Sequence, residues 1–165
     1  GDVTLERIPF QLSQSIFKSQ AESSLFAGAS DRLVLTTDIA QAQRLHLLLN
    51  LGNGFLKFAD QVIGQVEVTC DNMLIVLVEL QAGIHVREWH NGQGVIATAP
   101  QVISVWREQI SDDVRGTIDL LTLDLPPVCQ DGRLTRIELI DSSAETVNSL
   151  DPALNLVGIT VEFRP

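Results

Sequence analysis

The chain has 165 residues, 45% of them hydrophobic, with a formal net charge of −10 and a sequence pI of about 4.5. This length suits one domain with a full core, and the apolar content argues against disorder. The acidic balance disfavours nucleic acids and anionic membranes, because both are bound through an excess of Lys and Arg. No apolar run approaches the ~20 residues of a membrane-spanning helix, so we expect no membrane insertion. A single domain over residues 1–165 is therefore expected.

Short apolar stretches separated by turn signals run along the whole chain and predict an all-β protein. Their period of two is typical of half-buried strands, and their spacing is typical of an antiparallel β-sandwich. In the stretch RLHLLLN, Leu45, Leu47 and Leu49 fall on one face. The predicted strands cover residues 33–39, 44–50, 62–70, 73–80, 84–89, 116–125, 133–140 and 154–163, with one or two more inside 95–106, where Pro100 interrupts.

Two of these strands carry a further expectation. The stretch 73–80 is apolar on both faces, which is typical of a strand covered on both sides, and Asp71-Asn72 before it predicts a tight turn. In 116–125 the apolar residues change parity half-way along the strand. A β-bulge would cause such a change, so we expect a bulge there.

The ends and connections of the predicted strands are less regular. Residues 2–12 predict an edge strand or an extended lead-in fixed by Pro9. Residues 13–30 predict either a short helix or a loop. Residues 107–116 predict a polar loop, and residues 126–132 predict a turn. Residues 141–150 predict a polar excursion with one helical turn.

The two cysteines leave two alternatives open. Cys70 closes a predicted strand and Cys129 lies in a predicted turn, which fits either one disulfide or two free thiols. Because Cys70 falls on the apolar face of its strand, we expect a buried thiol.

The densest polar group is the hexapeptide HVREWH. His85, Arg87 and Trp89 share one face of the predicted strand and are candidate ligand-binding residues. An indole can stack on a sugar ring, and a guanidinium can donate hydrogen bonds to sugar hydroxyls. The alternative is an ordinary solvent-facing strand with Trp89 packed under a loop. The second tryptophan, Trp106, is expected in the core or at the rim of a sheet.

Metal and catalytic signals are weak. His85 and His90 point to opposite faces of an extended strand, so a zinc site that combines them with Glu88 is disfavoured. No GxSxG motif is present, so we expect no enzyme, and an active site that carries no recognisable motif stays as a further alternative. The one cofactor left open is a structural calcium without DxDxDG spacing. Its candidate ligands lie in acidic loops: Asp112, Asp113, Asp131, Asp141 and Asp151.

The order of these landmarks resembles a family. IPF near the start, LVL, LLLN, GFLKFADQVIG, VEVTCDN, GIHVREW, VW, LDLP, RIELID and a closing LVGITVEF resemble galactose-binding-like β-sandwiches of jelly-roll type. Such domains accompany glycoside hydrolases and other secreted bacterial proteins. The resemblance implies a jelly-roll β-sandwich that serves as a carbohydrate-binding or accessory module, and it favours an extracellular or periplasmic location.

We therefore expect a non-catalytic binding or accessory module with carbohydrate as the leading ligand class. The alternative is a structural or protein–protein interaction domain. In that case an exposed apolar sheet face or edge would make a homo-oligomer or dock on a neighbouring domain of a larger protein.

Overall fold

The structure, a computed structural model, describes residues 1–12, 17–18, 31–142 and 151–164. Within those ranges the protein is an all-β sandwich of antiparallel strands in two layers, as the sequence predicts. The strands are β1 (Asp2–Leu5), β2 (Ile8–Gln11), β3 (Phe17–Lys18), β4 (Arg32–Ala40), β5 (Ala42–Gly52), β6 (Val62–Cys70), β7 (Met73–Gln81), β8 (Val102–Ser111), β9 (Val114–Asp124), β10 (Arg133–Asp141) and β11 (Ala153–Phe163). A 3-10 turn at Leu56–Phe58 and the helix α1 at Pro127–Asp131 accompany them.

The two sheets differ in width. One has four strands in the order β4-β10-β6-β7, and the other has five in the order β3-β11-β5-β9-β8. The strands β1 and β2 form a separate hairpin, where the sequence predicted one edge strand or a lead-in. No helix in the described ranges is long and apolar enough to span a membrane.

The main core lies between the two sheets. Leu45, Leu47 and Leu49 of β5 alternate into it, as the period of two predicts, and Val66 and Val68 of β6 belong to the same cluster. All five side chains are at most 1% exposed. Burial of these side chains is the dominant favourable contribution that holds the sheets together.

A second, smaller cluster covers the other side of the wider sheet. Phe10 of β2, Leu48 of β5 and Leu120 of β9 form it, together with half-buried residues of the β1–β2 hairpin. This cluster explains the parity change in β9, because Leu120 joins the hairpin cluster while Leu121 joins the main core. The predicted bulge is wrong for β9, whose pairing with β5 has no register shift; the extra residues lie in β8.

The strand β7 is an edge strand, which corrects the expectation for residues 73–80. It pairs with β6 on one side, and no other described strand pairs with it. Met73, Leu74 and Val76 are 56%, 62% and 51% exposed. The apolar pattern on both faces therefore marks an exposed apolar edge and not a strand covered on both sides.

Of the two hairpin turns at residues 71–72 and 112–113, the sequence predicted the first correctly and the second wrongly. The turn at Asp71-Asn72 is confirmed, and both residues have positive φ (47° and 66°), as a type I′ hairpin turn requires. The stretch 107–116, predicted to be a loop, instead continues β8 into β9 around Asp112-Asp113. Its polar residues lie on an exposed edge hairpin, where burial does not select apolar side chains.

Residues 82–101, which we call the connecting segment, lead from β7 to β8. The strand predicted at 84–89 does not form, because this part of the chain makes only isolated bridges to different partners. The strands predicted inside 95–106 reduce to β8, which begins after Pro100.

Two predictions fall largely outside the described residues. The helix or loop predicted at 13–30 is described only at Phe17–Lys18, which pair with β11. The helical turn predicted within 141–150 is described only for its first two residues, of which Asp141 ends β10.

Cys70 and Cys129 form a disulfide, which corrects the expectation of a free thiol. The expected burial of Cys70 is right, since Cys70 is 0% exposed, and Cys129 is equally buried. The stretch predicted as a turn, PPVCQDG, forms the helix α1, and this helix places Cys129 against the end of β6. The crosslink joins positions separated by 59 residues.

Removing this disulfide should destabilise the fold. The double variant Cys70→Ala/Cys129→Ala is expected to lose about 4 kcal/mol of unfolding free energy, because the crosslink restricts a long loop of the unfolded chain. Urea unfolding with and without a reductant measures the loss. Reductant should shift the wild type and leave the double variant unchanged. Two titratable thiols in the denatured, unreduced wild type would contradict the prediction.

Candidate functional site

The connecting segment enters the wider sheet between two of its strands. The strands β5 and β9 pair only as far as Leu49 and Asp119. Beyond that point the Trp89 N–H donates to the Leu51 carbonyl at 2.9 Å, and the Trp89 carbonyl accepts from the Thr117 N–H at 2.7 Å. The segment therefore satisfies backbone groups on both strands where they separate, which fixes its position.

The side chain of Arg87 is held by an ion pair with Asp119. Arg87 Nε lies 2.6 Å from Asp119 Oδ2, and Nη2 lies 2.8 Å from Oδ1, a bidentate arrangement. Arg87 also donates to the Ser104 hydroxyl at 3.0 Å and to the Ala97 carbonyl at 2.7 Å. The hydrogen bond to Asp119 raises the pKa of Arg87 above its ordinary value, although burial opposes the shift.

The position of Asp119 explains why this pair exists. Asp119 pairs with Leu49 and therefore lies on the core-facing side of β9, where it is 1% exposed. A buried carboxylate without a partner carries a desolvation cost of several kcal/mol. Arg87 supplies that partner, and the connecting segment is thereby tied to β9.

An open pocket of about 490 Å³ lies above this ion pair. We call it the Arg87 pocket. It combines the buried pair with two hydroxyl groups, an exposed guanidinium and a short apolar wall. Its lining residues are Arg87, Thr98, Ala99, Pro100, Val102, Ser104, Arg107 and Asp119.

The three residues singled out from the sequence do not surround one cavity. Arg87 lines the pocket, whereas neither His85 nor Trp89 does. His85 is half-buried, and its Nδ1 accepts a hydrogen bond from the Gln81 N–H at 3.2 Å. Trp89 is 41% exposed, and its ring meets the His90 ring edge-to-face at 4.8 Å between centroids. The prediction that these three residues share one face assumed a regular strand. This part of the chain forms only isolated bridges, so the three side chains are not aligned on one face.

The other candidate residues lie apart from the pocket. Trp106 is 42% exposed on the edge strand β8, which fits a rim position. Glu88 is buried, with Oε1 3.5 Å from His90 Nε2, and the Gly54 N–H donates to Glu88 Oε2. The described residues contain no group of three or more His, Cys, Asp or Glu that could hold a metal.

Sequence reasoning missed Asp119 and the partners of Arg87. A signal was present, because Asp119 has the same parity as Leu121 and Leu123 and therefore places a carboxylate on an apolar face. Such a residue requires a buried cation or donor. Its partner could not be read from the sequence, since Arg87 is 32 positions away.

Comparisons with protein-family models, with curated proteins and with solved structures found no match for this chain.

Replacing one partner of the Arg87–Asp119 ion pair should lower the unfolding free energy more than replacing both partners together. Arg87→Met is expected to lower the unfolding free energy by about 3–5 kcal/mol, because it leaves Asp119 as a buried, unpaired charge. The double variant Arg87→Met/Asp119→Leu should recover most of that loss. Urea unfolding measures both. Arg107→Met is the matched control at the exposed rim and should change stability by about 0.5 kcal/mol or less. Equal losses in the single and double variants would contradict this account.

All three histidines have a pKa below the ordinary value for histidine. Burial lowers the pKa of His46, although Glu162, whose Oε2 lies 3.4 Å from His46 Nε2, partly offsets this effect. Burial also lowers the pKa of His85 and of His90. In the unfolded chain a histidine titrates near pH ~6.5. Below that pH the unfolded state binds more protons than the folded state.

Stability should therefore fall as the pH drops below ~6.5. The urea midpoint is expected to decrease between about pH 7 and pH 5, a window above the usual titration of carboxylates. His46→Gln keeps a polar side chain and should flatten this decrease. A midpoint that stays constant or rises over the same window would show that the histidines are not neutral in the folded state.

Proposed function

We propose that this domain is a non-catalytic binding module and that the Arg87 pocket holds a saccharide. The observation that carries the proposal is the make-up of the pocket. Hydroxyl and guanidinium groups stand beside an apolar wall, over a floor fixed by the Arg87–Asp119 pair. Saccharides present hydroxyls at their edges and C–H groups on their ring faces, so they need both kinds of contact.

Each part of the pocket has a chemical task in this proposal. The Ser104 hydroxyl accepts from Arg87 Nη2 and keeps its own proton for a ligand oxygen. Thr98 and Arg107 offer further polar groups at the rim, while Pro100 and Val102 supply apolar contact. Because Arg87 is held by three acceptor groups, the floor is preorganised and little ordering is required on binding.

Trp89 offers an additional contact for a longer saccharide. Its carbonyl bonds Thr117, and Thr117 pairs with Arg107 on the opposite side of β9. Two strand spacings place the backbones of Trp89 and Arg107 about 10 Å apart. The half-exposed indole can stack on a sugar ring. His85 has a lesser part, because its Nδ1 is already engaged.

Two further observations support this reading. The disulfide fits an oxidising compartment outside the cytosol, as expected for a module that meets extracellular or periplasmic glycans. The resemblance of the sequence to galactose-binding-like jelly-roll domains points to the same class of accessory module. A structural calcium stays a separate question, which the binding experiment addresses directly.

A glycan array probed with the purified domain, with and without calcium, tests the proposal. We expect binding to one saccharide class, followed by calorimetry with the best ligand. Arg107→Gln should weaken that binding about tenfold or more, because a charge-assisted hydrogen bond is lost. Arg115→Gln is the matched control, since Arg115 is exposed on β9, bonds Gln109 and does not line the pocket.

The Trp89→Ala variant decides between the two surfaces. If binding survives Arg107→Gln but is abolished by Trp89→Ala, the saccharide lies on the tryptophan and not in the pocket. No binding by the folded, monodisperse protein to any saccharide would overturn the proposed function.

A further inference from the structure

The apolar edge of β7 is independent of the pocket and is less protected than the edge strands β4 and β8. On its inner side β7 pairs with β6 along its whole length. On its outer side no described strand pairs with it, so a row of backbone N–H and C=O groups is left for another strand.

The side chains of this edge are also unusual. From Met73 to Val78 the sequence has no charge and no proline, and Leu74 and Val76 are 62% and 51% exposed. Proteins normally protect edges with charges, prolines or bulges. The register shift near Leu77 and the exposed Glu79 are such devices on β7, and both leave Met73–Val76 regularly paired and uncharged.

The other edges carry more protection. The strand β4 has Arg32 and Asp38 on its exposed side. The strand β8 has Arg107 and Glu108, together with two register shifts. An added strand would have to accommodate those charges and bulges, whereas the part of β7 from Met73 to Val76 presents only its backbone and apolar side chains, and the exposed Glu79 lies beyond it.

We propose that β7 pairs antiparallel with β7 of a second copy of this chain. A two-fold axis at Ile75 would place Leu74 of each copy opposite Val76 of the other, so the exposed side chains become cross-strand pairs. The four-stranded sheets of the two copies then join into one continuous sheet.

Electrostatics favours this edge for a meeting of two copies. At a net charge of −10, like chains repel each other over most of their surfaces. The uncharged stretch Met73–Val78 lets two chains approach without a carboxylate at the centre of the contact. Salt should therefore strengthen the dimer, because it screens the remaining repulsion and leaves the apolar contact intact.

Sedimentation equilibrium of the disulfide-intact chain over a broad concentration range tests the proposal. The wild type should form a dimer, and added salt should strengthen it. Val76→Lys should raise the dimer dissociation constant about tenfold or more, because it places two ammonium groups at the junction. Val34→Lys is the matched control, since Val34 is 41% exposed on the opposite edge strand of the same sheet.

Two results of the sedimentation experiments would overturn the proposal. One is a wild type that stays monomeric at every concentration and salt level. The other is a dimer that survives Val76→Lys but is lost in Ile103→Lys, which would place the contact on β8. Hydrogen exchange of the wild-type protein tests the strand pairing without any substitution. Amides of β7 should become more protected as the concentration rises, and protection that does not change would also count against the pairing.

Discussion

The ion pair between Arg87 and Asp119 determines where the connecting segment lies against the wider sheet. Asp119 lies on the core-facing side of β9 through its pairing with Leu49, and its charge must be matched there. The bidentate bonds from Arg87 meet that need and anchor the connecting segment. Residues 97–101 are then positioned beside β8 and β9, so the pocket and its polar floor arise from a constraint imposed by burial.

Much of the fold could be predicted from local patterns, because strands with one buried face repeat every two residues. Leu45, Leu47 and Leu49 show this clearly. The pattern fails where the two faces of one strand are buried by different parts of the protein. Leu120 packs beneath the β1–β2 hairpin while Leu121 packs between the sheets, and no local pattern distinguishes that arrangement from a bulge.

The site was less predictable than the fold. Arg87 was found because charged and aromatic residues cluster around it, but its role depends on Asp119, 32 residues away. The residues of the pocket come from the connecting segment and from β8 and β9, and their meeting is a tertiary event. The disulfide shows the same limit, because the apolar face of β6 indicated a buried Cys70 and not that Cys129, separated from it by 59 residues, lies beside it.

The two proposed surfaces fit together without competing. The Arg87 pocket belongs to β8, β9 and the connecting segment, whereas the pairing edge belongs to the other sheet. A dimer through β7 would thus carry two open pockets on one rigid body. Two such pockets on one assembly would gain affinity for a repeating glycan through effective concentration. Dimerisation through the apolar edge of β7 would then increase the affinity with which the Arg87 pockets bind a repeating glycan.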